Sequence, residues 1–442
     1  MIPSTAANEH IAAVSTPISI AEARAIVAAH TPLGPVERVD LLEAVGRVAA
    51  EDLTSDIDVT PFDDAAMDGF AVCAASLSGA SPDAPVTLAC VSHLGAGSVM
   101  DTCLQPGQCA RIMTGAAIPA GADAVVKIED VTFAAGARGT VGDAISFASP
   151  IKPGANIRKA GEEAKAGSVV IPKGEVIATA GIGLLASCGN ARVAVYARPV
   201  VGLITIGSEL VDMTQVPGPG MIRDSNRWAM ATYVKAAGGV PRLYPQVADD
   251  PDTIRAAFRT AAAECDFVVS TGGACIGDYD LTPAILAELG QVYFTRISMK
   301  PGKSQPFGQI GGTPTFVLSG NPGASSVGFE MFVRPALLAW QGHTHVDRPV
   351  VRAIIDSDVR KKEPRVFLQR GILRREDAVP DPATGLATGG RWVVSQYKNQ
   401  SSALFGSLQR ANCLIIIPEG LEDKRAGDEV DCILTGVDEN AL

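Results

Sequence analysis

CDFVVSTGGACIGDYDLTPAILAEL, residues Cys265 to Leu289, sets the pattern from which the fold is read. A short run rich in β-branched residues enters a glycine loop carrying Asp278 and Asp280, and helical spacing of apolar residues follows. Strand, loop and helix in that order make half of a βαβ unit, with the loop beyond the carboxyl end of the strand. Such a loop serves an anion, a metal ion, or only the start of a helix. Asp280 or Thr282 as a cap, with Pro283 in the first turn, is the plain alternative.

The same order recurs outward on both sides. RPVVGLITIGSEL (198–210) is a strand and loop, RWAMATYVKAAGG (227–239) and DTIRAAFRTAAAE (252–264) are helices, and PTFVLSGNPGASS (314–326) is another strand and loop. Continuous apolar strands alternating with amphipathic helices predict a parallel-rich sheet covered on both faces over 198–342. Upstream, PISIAEARAIVAAH (17–30) and LLEAVGRVAAEDL (41–53) both have helical spacing. Residues 53–155 read as short strands and turns, a β-rich insert. Segments 1–52 and 156–197 flank that insert and are expected to form one discontinuous domain, with packing of the first helix on the α/β region as the alternative for that helix. Residues 348–442 alternate strand-like runs and are expected to form a C-terminal β domain. The fold class is therefore multidomain, α/β and β.

The chain has 442 residues, 47% of them hydrophobic and 19% charged, which suits well-buried globular domains. A net charge of −11 supplies no global field for nucleic acid or an anionic membrane. Any polyanionic ligand must meet a local basic cluster or a metal. No apolar run approaches the roughly 20 residues needed to span a bilayer, and the N-terminal stretch lacks the pattern of a signal peptide. Nine cysteines without a C-x-x-C pair suit reduced thiols, so a cytoplasmic location is expected.

Three loops of glycine and short polar residues end strands of the α/β region: TIGSEL, STGGACIGDYD and LSGNPGASS. Ligands of open parallel sheets bind at that edge. None of the loops is a Walker loop or a dinucleotide fingerprint. Lys300 and Lys303 flank a Pro-Gly turn in RISMKPGKSQPFG, with Arg296 just upstream, and would neutralise a phosphate or other oxyanion. Glu209, Asp249, Asp278 and Asp280 fall near loop ends of the same region, and oxygen ligands of this kind suit Mg²⁺. A second constellation occupies DVTPFDDAAMDGFAV (58–72), RIMTGAAIPAGADAVV (111–126) and GANIRKAGEEAKAG (154–167). Taken singly, Asp68 before Gly69 and Thr114 before Gly115 read as turn residues.

Together these motifs, in their order, resemble the MoeA family of molybdopterin molybdenumtransferases, whose eukaryotic counterpart is the E domain of gephyrin. The resemblance covers essentially the whole chain. It implies four domains, with a MogA-like α/β domain carrying the active site, and an elongated homodimer. It implies Mg²⁺-dependent reaction of molybdate with adenylylated molybdopterin, releasing AMP and the molybdenum-loaded cofactor. In that reading Lys300 and Lys303 bind oxyanions. Gly272, Gly273, Cys275, Gly277 and Asp278, with Ser319, Gly320, Asn321 and Pro322, seat the substrate, assisted by Arg296. Asp280, Glu209 and Asp249 hold the cation. Arg365 and Ser402 match molybdate-pocket positions, and Asp68, Thr114 and Glu163 match functional polar positions. Contacts with a MogA-like adenylyltransferase and with molybdoenzymes are further implications. The chain departs from the family pattern where Cys275 replaces a serine, Ser319 a proline and Ala324 a hydroxyl residue. A protein that holds the cofactor without catalysing insertion is the alternative.

Overall fold

The computed structural model describes residues 14–134, 136–273 and 281–435. The chain divides into two compact units, one made of Met1–Val36 with Tyr196–Leu442, the other of Glu37–Val195.

The larger unit begins with helix α1 (Ile20–Ala29), started by a reciprocal cap. Ser19 Oγ accepts from Glu22 N–H at 3.1 Å, and Glu22 Oε2 accepts from Ser19 N–H at 2.8 Å. Its strands are β1 (Val200–Thr205), β2 (Val240–Leu243), β3 (Phe267–Thr271) and β4 (Gln291–Arg296). A two-residue β5 (Met299–Lys300) belongs to a different sheet, and β6 (Ser304–Ile310) and β7 (Thr313–Leu318) follow. The central sheet has the order β2-β1-β3-β7-β6-β4, parallel from β2 to β7, with β6 antiparallel to both neighbours.

Helices α2 (Asn226–Ala236), α3 (Pro251–Glu264), α4 (Thr282–Leu289), α5 (Pro322–Gly328) and α6 (Arg334–Trp340) cover this sheet. A π-helical turn, Phe329–Val333, joins the last two. The apolar run Phe267–Val269 of FVVST follows from the strand's two faces. Phe267 and Val269 pack with Val234, Leu337 and Trp340, whereas Val268 packs with Phe258, Ile285 and Leu286 on the other side. Burial of each such side chain contributes about 1.5–3 kcal/mol. At α3, Pro251 opens the helix and Asp250 accepts from Thr253 N–H at 2.9 Å. At α4 the N-cap position is Leu281, with no side-chain cap, so Thr282 does not cap this helix.

The C-terminal part is a closed β-barrel. Strands β8 (Val350–Ile355), β9 (Val366–Glu376), β10 (Arg391–Gln396), β11 (Cys413–Ile417) and β12 (Glu429–Leu434) pair around the ring β9-β10-β8-β12-β11 and back to β9. Helix α7 (Phe405–Arg410) precedes β11. Strand β5 adds to β9 in parallel, with Lys300 opposite Phe367. The lysine turn is thereby held against the barrel.

In the smaller unit a six-stranded sheet runs in the order Ala124–Lys127, Gly69–Val72, Gln108–Ile112, Val86–Leu94, Ala144–Phe147 and Val131–Phe133. One expectation is corrected here. LLEAVGRVAAEDL is not an α-helix but a 3₁₀ turn over Leu41–Ala44, isolated bridges from Val48 to Val176 and from Ala49 to Val195, and the short strand Leu53–Thr54. Gly46 sits at φ 74°, which ends helical winding, and the consecutive buried residues Val48, Ala49 and Ala50 satisfy no helical stripe.

Candidate functional site

Two cavities of the larger unit meet at the carboxyl edge of the central sheet. The first, about 710 Å³, is lined by the cationic side chains of Arg296, Lys300, Lys303, Arg360 and Arg365, with Phe367, Gln400, Ser401, Ser402, Ser319, Asn321 and Ala324 among its other walls. Among the described residues no carboxylate lines it. The second, about 590 Å³, is lined by three acids, Glu209, Asp224 and Asp249, against one cation, Arg223, with Asn226 and the loop residues Gly207, Gly272, Gly273, Gly320 and Pro322. Ser319 and Asn321 line both. The cavities thus form one cleft with a basic end and an acidic end.

The convergence of the glycine loops is tight. Gly272 has φ +94°, and a Cβ there would lie 2.0 Å from the carbonyl oxygen of Ile206. A Cβ on Gly320 would lie 3.5 Å from the Gly272 Cα. Backbone N–H groups cross between the strand ends, Ile206 to Thr271 O at 2.9 Å and Gly272 to Leu318 O at 3.2 Å. The three loop starts therefore close on one another, and the space beyond them is the acidic chamber.

At that acidic end, Asp249 Oδ2 accepts from Ser208 N–H at 2.8 Å while Ser208 Oγ accepts from Asp249 N–H at 3.0 Å. Asp224 is buried, and accepts from Thr205 Oγ1 and from Arg227 N–H at 3.1 Å. Glu209 is exposed to the chamber. Asn226 Nδ2 donates to Gly320 O at 2.8 Å, and its buried Oδ1 has no hydrogen-bond partner among the described residues. These donors are all oxygens, the chemistry a hard divalent cation requires. No three of the acid, cysteine or histidine side chains among the described residues are grouped closely enough to enclose a metal.

At the basic end, Lys300 Nζ donates to Glu363 Oε1 at 2.6 Å and lies 5.0 Å from the centre of the Phe367 ring. Arg365 donates from Nε to Glu363 Oε2 at 2.9 Å, from Nη2 to the same oxygen, and from Nη1 to Met299 O at 3.2 Å. Lys300 and Arg365 together pull the Glu363 carboxyl down to about 2. Lys303, Arg296 and Arg360 make no ion pair among the described residues. Arg370 is fully buried; its Nη2 donates to Ser401 O at 3.0 Å, and Gln400 closes a reciprocal pair with its backbone at 3.0 and 2.8 Å. Burial lowers its pKa. Arg370 thus fixes the loop that presents Ser402. Ser319 contributes a hydroxyl-bearing side chain to both chambers, a few residues from the Ala324 methyl.

Of the residues expected from the sequence, Arg296, Lys300, Lys303, Arg365 and Ser402 come together at the basic end. Glu209, Asp249, Gly272, Gly273, Gly320 and Pro322 come together at the acidic end. Cys275, Gly277, Asp278 and Asp280 lie outside the described residues. Asp68 and Thr114 are joined in the smaller unit, where Asp68 Oδ1 accepts from both Thr114 N–H and Oγ1 at 2.7 Å, lowering the Asp68 pKa. That contact is also what closing a turn requires. Glu163 is exposed in the same unit. Sequence reading missed Asp224, Asn226, Arg360, Glu363 and Arg370. An arginine inside the apolar run FLQRGIL, which only a buried strand explains, was the available signal for Arg370.

Comparison with known proteins follows the same division of the chain. Residues 18–189 match the model of the MoeA N-terminal region (domain I and II), 202–339 that of a probable molybdopterin binding domain, and 352–435 that of the MoeA C-terminal region (domain IV). A molybdopterin molybdenumtransferase of Bacillus subtilis is 36% identical over 95% of this chain and 94% of its own. One from Staphylococcus aureus (strain COL) is 34% identical over 96% of each. The crystal structure of a molybdopterin biosynthesis MoeA protein from Pyrococcus horikoshii OT3 superposes with a TM-score of 0.77 at 30% identity, covering 95% of this chain and all of the other. A full-length match of this kind, on a chain whose glycine loops and lysine turn meet in one cleft, means that the chain belongs to the MoeA family.

Proposed function

We propose that this protein is a molybdopterin molybdenumtransferase, carrying out the last step of molybdenum cofactor biosynthesis. Adenylylated molybdopterin and molybdate react to give the molybdenum-loaded cofactor and AMP. The observation that carries this reading is the two-ended cleft, basic in one chamber and acidic in the other, joined at Ser319 and Asn321. Molybdate is a dianion and suits the cationic chamber. A phosphoanhydride, whose cleavage needs charge neutralisation, suits the junction with the acidic one.

Lys300, Lys303, Arg296 and Arg365 bind and orient oxyanion oxygens in this reading, as point charges or planar donors. Arg370 and Gln400 keep Ser402 in place. Glu209 and Asp249 would hold Mg²⁺, with Asp280 assigned to the same role from the sequence. The ion would supply charge stabilisation on the leaving phosphate. Asp68, Thr114 and Glu163 are assigned supporting roles on the smaller unit. Among the described residues no helix is long and apolar enough to cross a membrane. A cytoplasmic homodimer, supplied with substrate by an adenylyltransferase and delivering to molybdoenzymes, completes the proposal. Relatives named as transferases weigh against a carrier without chemistry.

The test is release of AMP from adenylylated molybdopterin by the purified protein with Mg²⁺. Release that rises with molybdate supports the reading. No release, while the Bacillus subtilis relative turns over in the same assay, overturns it.

A further inference from the structure

Resting on the assignment of the basic chamber to the oxyanion, we propose that Glu363 is a positioning residue for oxyanion binding. Glu363 does not line the cavity, whereas both of its cationic partners do. One carboxylate oxygen holds the Lys300 ammonium and the other holds the Arg365 guanidinium from its Nε side. With Met299 O taking a further N–H of Arg365, one N–H remains on each terminal nitrogen of the guanidinium, and two remain on the ammonium. Those are the donors left for a ligand in the chamber.

Held from behind, the two groups keep a fixed separation before the ligand arrives. Long cationic side chains lose rotamer freedom on binding, and a group already ordered loses less. The strand pairing supports the same geometry. Lys300 lies opposite Phe367 in the β5–β9 ladder, and Arg365 immediately precedes β9. Glu363 is two residues upstream of Arg365, on the approach to the strand, so one side chain reaches across the ladder to Lys300 and along its own segment to Arg365. The opposite role, an internal anion competing with the ligand for the same donors, would require Glu363 to stand in the cavity.

The experiment is molybdate binding by calorimetry, with steady-state kinetics in parallel, on the full-length wild type, Glu363→Ala, Glu363→Gln and Glu363→Asp. The molybdate Kd and KM rise about tenfold or more in the alanine variant, the weight of a lost charge-assisted contact. They rise less in the glutamine variant, and aspartate restores part of the loss. At saturating molybdate kcat stays within a few-fold of wild type, and AMP affinity is unchanged. The thermal midpoint of Glu363→Gln, compared with wild type, separates this effect from loss of fold. Unchanged molybdate affinity in folded Glu363→Ala overturns the proposal, and tighter affinity overturns it in favour of a competitor. Wild-type protein that binds no molybdate overturns the assignment of the chamber itself, and the role of Glu363 with it.

Discussion

Lys303 and Lys300 are three residues apart and face one chamber, yet their surroundings differ. Lys300 shares Glu363 with Arg365, while Lys303 has no acid partner among the described residues. Removing Lys303 therefore costs a donor whose charge nothing else in the turn balances. Lys303→Ala is expected to lower molybdate-dependent turnover about a hundredfold, the weight of one oxyanion donor, with an unchanged circular-dichroism spectrum and melting point. Turnover near wild type would show that the lysine is only a solvated turn residue. Glu363 makes a second residue-scale prediction, on acid stability. Its carboxyl is depressed from the ordinary 4.5 to about 2, so its contribution to stability is fully present above pH 4.5 and disappears as pH falls toward 2. Across that window urea midpoints of the wild type should approach those of Glu363→Gln. Parallel curves would mean that the ion pair contributes nothing in solution.

At the scale of elements, the sheet was legible because β3 is buried on both faces, so Phe267, Val268 and Val269 are all apolar and the flanking helices are amphipathic. LLEAVGRVAAEDL misled because its apolar spacing mimics a helix, while Gly46 at positive φ and pairing with distant Val176 and Val195 make it a turn and bridges. Partners 128 and 146 positions away leave no local trace. The attachment of β5 to the barrel was illegible for the same reason, since two residues carry no periodicity. Where β1, β3 and β7 end, the loops allow a sharp prediction. Gly272→Ala places a methyl carbon 2.0 Å from Ile206 O on a backbone at φ +94°. The backbone conformation alone costs about 1–3 kcal/mol, and overpacking a comparable amount. The strand ends must part, so the variant should lose several degrees of melting temperature and most activity together. A stable, active Gly272→Ala would mean that the loops do not close as tightly as described.

Over the whole cleft, the sequence made the glycine loops and the lysine turn legible as neighbours of strand ends, but not the separation of charge between them. The two ends are built by pairs such as Lys300 with Glu363 and Asn226 with Gly320, which are 63 and 94 residues apart and appear only when the strands assemble. The separation has a consequence for metal dependence. The acids that would hold Mg²⁺ line one chamber and the cations that would hold molybdate line the other, with Ser319 and Asn321 between them. If the cation acts on the phosphoanhydride and not on the oxyanion, its removal should stop chemistry and leave molybdate binding intact. Dialysis against a chelator is therefore expected to reduce AMP release to background, and added Mg²⁺ to restore it. Molybdate Kd measured on the same metal-free protein should stay within about twofold, because donors to the oxyanion are side chains with fixed charge. Turnover that survives chelation would remove the metal from the reaction. Molybdate affinity that collapses with the metal would place the ion between the two chambers, bridging oxyanion and carboxylate, and the division of the cleft into two independent ends would fall.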